Sequence, residues 1–163
     1  MSRSKYPIYT PAIVLVISQT AEYALRAIVY LANEGGAART SSEIAKATQV
    51  PPGYLSKVMQ GLGRARLVKS QRGLNGGFKL AHDPVKLSVL AVINAVDPIR
   101  RYQECPLGIS NHGRRLCPLH HRLDEAAAMV EKVFGETTIA DLLAVPRQRR
   151  PLCRFPGPSL AKK

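Results

Sequence analysis

From Ser18 onward, apolar residues recur at helical spacing in short blocks, and each block carries its own start and stop signal. Ala24, Leu25, Ile28, Leu31 and Ala32 predict a helix capped by Ser18 or Thr20 and running to about Asn33, where Gly35-Gly36 ends it. Thr40-Ser41-Ser42-Glu43 is a capping box: the Thr40 hydroxyl serves the Glu43 amide and the Glu43 carboxylate reaches back. The helix it opens reaches about Thr48, with Ile44 and Ala45 facing inward. After Gln49-Val50-Pro51, Pro52 suits the first turn of a third helix. Leu55, Val58, Met59 and Leu62 make its apolar face, and Tyr54, Ser56, Lys57, Gln60 and Arg64 make the opposite one. A helix with one apolar face and one donor-rich face can fill a major groove.

The period then changes. Leu67–Ser70 and Phe78–Leu80 alternate as strands do, and the stretch from Gln71 to Gly77 joins them. Asn75-Gly76 within it is a hairpin-turn signal, because both positions tolerate positive φ. Helical spacing returns after Ser88 with Val89, Leu90, Val92, Ile93 and Val96, and stops at Asp97-Pro98. A longer helix is predicted from Leu119 to Phe134, with Leu123, Ala126, Ala127, Val130, Val133 and Phe134 as its stripe. Thr137 to Asp141 caps a last short helix.

Three helices followed by a basic, glycine-rich hairpin form the order of a winged helix-turn-helix. The expected fold is therefore mainly α with a small β-hairpin, plus a long C-terminal helix. Residues 16–100 make the winged unit, 101–117 a cysteine-bearing loop, and 118–145 the long helix and the terminal short one. Two readings of the long helix stand open: a dimerisation helix, or a face packed on its own core. Residues 1–15 read as an N-terminal extension, either disordered or a mis-assigned start, whose pattern joins nothing that follows.

Charge sharpens this picture. Among 163 residues, 24 are Lys or Arg and 11 Asp or Glu, a formal charge of +13. Such an excess asks for a polyanion, with nucleic acid first and an acidic membrane surface second. With 45% hydrophobic residues the chain is not a disordered polycation. From Arg39 to Lys86 nine basic residues face two acids, a net of +7. The hairpin offers Arg72 and Lys79 to the DNA backbone or to the minor groove, where arginine is favoured. Residues 146–163 carry six basic residues, four prolines and no acid, the composition of a disordered tail. No apolar run approaches the roughly 20 residues of a membrane-spanning helix. Three cysteines are too few for a disulfide scaffold and suit a cytoplasmic ligand or redox role.

Several of these stretches, taken in order, resemble the IscR/NsrR family of winged-helix transcription regulators. They are Ser18-Gln19-Thr20-Ala21-Glu22-Tyr23-Ala24-Leu25-Arg26-Ala27, Arg72 to Leu80, Cys105-Pro106-Leu107-Gly108, Leu116-Cys117-Pro118-Leu119-His120, and Thr137 to Leu142. The resemblance covers about Ile17 to Leu143 and implies a homodimer binding double-stranded DNA at a partly palindromic operator, most simply as a repressor. It places Tyr54 and Lys57 at the major groove and Arg72 in the minor groove. Pro51, Pro52 and Gly53 depart from more polar residues in relatives, so base preference does not transfer. Members of the family begin almost at the Ser18 segment, which implies an added N-terminus or a start near Val16.

The resemblance also implies a cofactor. Many members hold an iron–sulfur cluster through three evenly spaced cysteines before the dimer helix. Cys105 and Cys117 take the first and third positions, while Asn111, a poor ligand, takes the second. His120 stands where some relatives place a histidine ligand, and Glu22 where others supply a carboxylate from the partner subunit. Together these four would complete a [2Fe-2S] cluster. Zinc on Cys105, Cys117, His112 and His120, a thiol pair that oxidises, and no ligand at all remain as alternatives. Cys153, His82 and His121 receive no role.

Other classes stay in view. A basic RNA-binding or ribosome-associated protein would use the winged unit only as a scaffold. An enzyme finds little support: Gly73 to Gly77 sits in a hairpin rather than opening a helix, and no nucleophile, base and orienting triad is evident.

Overall fold

Residues 17–73, 76–106 and 116–144 are described by a computed structural model. Among the described residues six helices and two strands follow the expected order: α1 (Gln19–Asn33), α2 (Ser41–Thr48), α3 (Pro52–Arg64), β1 (Val68–Gln71), β2 (Gly77–Leu80), α4 (Val89–Val96), α5 (Pro118–Glu136) and α6 (Ile139–Leu143).

The local signals act as their chemistry dictates. Ser18 Oγ accepts the Ala21 amide at 3.2 Å and starts α1. Thr40 and Glu43 form both halves of their capping box, with Thr40 N–H donating to Glu43 at 2.7 Å and Glu43 N–H to Thr40 at 3.2 Å. Gln49 adopts a left-handed φ of 55° and stops α2. Pro52 then opens α3 at a position whose amide would lack a helical partner anyway.

The core forms where the apolar faces meet. Ala24, Ile28 and Leu31 of α1, Ile44 of α2, Leu55 and Leu62 of α3, Val92 of α4 and Ile139 of α6 are all fully buried. Thr48 is buried with them and satisfies its hydroxyl on the Ile44 carbonyl at 2.7 Å.

β1 and β2 pair antiparallel, Val68 opposite Leu80, Lys69 opposite Lys79 and Ser70 opposite Phe78. The hairpin is anchored at its base, because Arg39 and Phe78 exchange both backbone hydrogen bonds, at 2.9 and 2.7 Å. Gly77 permits this approach: a Cβ there would collide with the Arg39 carbonyl, and its φ of 147° suits only glycine. Leu74 and the expected turn residue Asn75 lie outside the described residues.

α5 begins one residue earlier and ends two later than the spacing predicts. Its stripe divides between the two readings: Phe134 packs half-buried against this chain's own core and Ala127 and Val130 are half-buried, while Leu123 and Val133 stand open. His120 is its one buried residue, whereas Leu119, Leu123, Met129 and Val133 are 64%, 44%, 68% and 58% exposed. Residues 1–15, the tail from 146 with Cys153, and Asn111 and His112 lie outside the described residues. Among the described residues no helix is long and apolar enough to cross a membrane.

Candidate nucleic-acid interface and cysteine–histidine site

α3 turns Leu55, Val58, Met59 and Leu62 inward, so its helical period forces Ser56, Lys57, Gln60 and Arg64 outward. All four are exposed. No acidic residue stands on α3, and among the described residues none of these four makes an ion pair within the chain. Their hydrogen-bonding groups therefore remain open to a partner, except that the Ser56 hydroxyl donates to the Pro52 carbonyl at 3.2 Å.

Tyr54 sits on the flank of this face and has a second employment. Its hydroxyl shares a 2.6 Å hydrogen bond with Thr20, and its ring meets Tyr23 edge-on at 5.4 Å. It thus ties α3 to the start of α1, a role that helical spacing within α3 could not reveal. Tyr54, Lys57 and Arg64 border a cleft of about 530 Å³ whose other wall is formed by Thr20, Ala95 and Val96.

The wing supplies more charge than was expected of it. Arg72 is exposed at the end of β1 and Lys79 is half-buried in β2. Lys69, which the strand alternation did not single out, lies directly across from Lys79. Arg39 contributes less than the local charge suggests, because Glu34 and Glu43 both pair with it. The side-chain hydrogen bond from Arg39 to Glu34 raises the arginine's pKa further.

The second cluster forms at the start of α5. Cys117 is the N-cap residue and His120 lies one turn on, which brings Cys117 Sγ within 3.1 Å of His120 Nδ1. Cys105, arriving from the segment after α4, places its Sγ 3.7 Å from the same nitrogen. All three ligand atoms lie within 4.8 Å of one another, the cysteines partly exposed and the histidine buried. The Tyr102 ring packs against His120 with centroids 5.1 Å apart.

Around one tetrahedral ion with metal–sulfur bonds of about 2.3 Å and metal–nitrogen bonds of about 2.0 Å, neighbouring ligand atoms lie about 3.5–3.8 Å apart. Two soft thiolates and an imidazole are the donor types such a shell takes; the Cys105–His120 separation of 3.7 Å matches it and the Cys117–His120 separation of 3.1 Å is tighter. Glu22 is not among these donors within one chain. It stands in the first turn of α1 and accepts a hydrogen bond from Arg26 Nη2. Arg26 also donates to the Thr48 carbonyl at 3.3 Å.

The family model for Rrf2, "Iron-dependent Transcriptional regulator", matches residues 17–145. The chain belongs to the Rrf2 family. The NsrR regulator of Geobacillus kaustophilus is 31% identical over 128 residues, covering 75% of this chain and 85% of that one. Among solved structures, T. potens IscR superposes with a TM-score of 0.65 at 25% identity, over 81% of this chain and 88% of its own. Bacillus subtilis CymR, the global cysteine regulator of that organism, superposes at 0.63 and 25%, over 78% and 95%. This Rrf2 protein is thus a DNA-binding transcription regulator with a winged-helix fold and not an enzyme, as the order of its elements and its charge led us to expect.

Proposed function

We propose that this Rrf2 protein is a homodimeric, sequence-specific repressor whose grip on a partly palindromic operator responds to the state of Cys105, Cys117 and His120. One observation carries the reading: α5 bears the cysteine–histidine cluster at its N-terminus and an exposed apolar seam along its length. Leu119, Leu123, Ala126, Val130 and Val133 alternate at steps of four and three, the repeat of a two-helix interface. A helix that pairs two subunits also sets the distance between their α3 helices, and half-site spacing is a geometric property of the dimer. A change at the first turn of α5 is therefore placed to alter operator affinity.

Ser56, Lys57, Gln60 and Arg64 would read or flank base edges, while Lys69, Arg72 and Lys79 hold the phosphates. Tyr54 contributes chiefly by docking α3. At the cluster, Cys105, Cys117 and His120 would be three of the four protein ligands of a [2Fe-2S] group, with Glu22 of the second copy or His112 as the fourth. Such a group supplies one-electron redox chemistry. The closeness and type of the three donors support a second reading, a zinc site with the same residues. Oxidation of Cys105 and Cys117 to a disulfide would need only the two thiols and an oxidant.

Anaerobic purification with a visible spectrum and iron, sulfide and zinc assays separates these readings. Colour with equal iron and sulfide selects the cluster, and colourless protein with stoichiometric zinc selects the single ion. Binding curves on a chosen and a scrambled duplex, for wild type and Cys105→Ala, test the regulator itself. Equal affinity for both duplexes at cellular salt would instead favour a nonspecific nucleic-acid binder.

A further inference from the structure

Cys105 reaches the site without the help of regular structure. Among the described residues, no backbone–backbone hydrogen bond holds residues 98–106 to any other part of the chain. The segment is fastened by side chains instead. Arg101 lays its guanidinium against Asp124 through two hydrogen bonds, both 2.7 Å, and reaches Glu131 with a third at 2.9 Å. The next residue, Tyr102, donates its backbone amide to the same Asp124 oxygen at 2.9 Å. A bidentate arginine–carboxylate pair fixes direction as well as distance. Asp124 is four residues beyond His120 and Arg101 four residues before Cys105, so the clasp and the cluster occupy neighbouring turns of α5.

We infer that Arg101 is the positioning residue of the Cys105–Cys117–His120 site: by clasping Asp124 and Glu131 it delivers the Cys105 sulfur to two donors that α5 already presents. Cys117 and His120 are placed by the helix alone and need no such help. Loss of the clasp frees Cys105 selectively. The inference rests on the reading of this cluster as a metal or thiol site only for its consequence, since the geometry of the two sulfurs is measurable by itself.

The test uses the full-length chain carrying Cys153→Ser, so that Cys105 and Cys117 are the remaining thiols. Dibromobimane, which becomes strongly fluorescent when it bridges two nearby thiols, reports their proximity, and iodoacetamide reports each thiol's separate reactivity. In Arg101→Gln the rate of the bridging step falls by about tenfold or more as the effective concentration of one thiol at the other is lost. Alkylation of Cys117 by iodoacetamide keeps its rate. Arg101→Lys, which retains one ion pair, recovers part of the bridging, and Asp124→Asn repeats the loss from the other partner. Bridging at the wild-type rate in both Arg101→Gln and Asp124→Asn overturns the inference. Cobalt(II) titration then addresses the consequence: wild type binds it with a thiolate charge-transfer band, and Arg101→Gln binds it more weakly. A wild type that takes no cobalt and no iron refutes the metal reading alone, while the bridging rates still decide the role of Arg101.

Discussion

Lys69 and Lys79 stand directly opposite each other on the two strands of the wing. Cross-strand partners share a face, and like charges so placed destabilise a hairpin by roughly 0.2–1 kcal/mol. A folded chain gains nothing from this pairing, whereas a phosphate lying across both ammonium groups would reverse its sign. Lys69→Thr is therefore expected to raise the thermal midpoint slightly and to weaken binding to all duplexes alike. The slope of log affinity against log salt should fall by about one unit. Anisotropy titrations at several salt concentrations measure it, and an unchanged slope would remove Lys69 from the interface.

The seam of α5 gives a sharper test. Leu123 is 44% exposed, so covering that remainder in both copies of a symmetric dimer contributes about 1–3 kcal/mol, and an aspartate there would add the cost of an uncompensated carboxylate in the seam. Leu123→Asp should then weaken self-association at least a hundredfold and yield a folded monomer. Sedimentation velocity across a concentration series checks this, with far-UV circular dichroism confirming that α1 to α4 remain. Wild type that sediments as a monomer at every concentration would sink the dimer and the spacing mechanism with it.

Tyr54 separates docking from base reading. Tyr54→Phe keeps the ring against Tyr23 and removes only the hydroxyl bonded to Thr20. It should cost about 0.5–1.5 kcal/mol of stability and change operator affinity far less than Lys57→Ala does. Urea unfolding and the same anisotropy assay provide the two numbers. A Tyr54→Phe protein of native stability with collapsed operator affinity would return Tyr54 to the groove.

How much of this was legible beforehand follows the range of the interactions. Capping signals are local, so Ser18, Thr40, Ser88 and Thr138 marked their helices from the chain alone. The inward face of α3 was equally plain, because four residues at helical steps admit one face. Lys69 was missed because register, not alternation, pairs it with Lys79. Tyr54 was assigned by its own helix, although its partner Thr20 lies 34 residues away. Spacing along the family pattern located Cys105, Cys117 and His120. Arg101 carried no signal there, since its partners come from the next helix.

Acid should act partly through the Arg101 clasp. The hydrogen bonds from Arg101, helped by the Tyr102 amide, hold Asp124 down to about 2, below the ordinary aspartate range. A carboxylate depressed in the folded state contributes stability that is present above its unfolded pKa and lost as pH falls through the folded one. For Asp124 that window runs from about 4 down to about 2. Glu43, lowered by the Thr40 amide and hydroxyl, and Asp141, lowered by Thr138, add to the same acid limb. Asp124→Asn should therefore flatten the fall in urea midpoint between pH 4 and pH 2 without abolishing it. Above about pH 5, where the native carboxylate is ionised in both folded and unfolded chains, the variant should be less stable than wild type by a constant amount. Identical acid limbs for the two proteins would mean that the clasp opens before Asp124 takes up its proton.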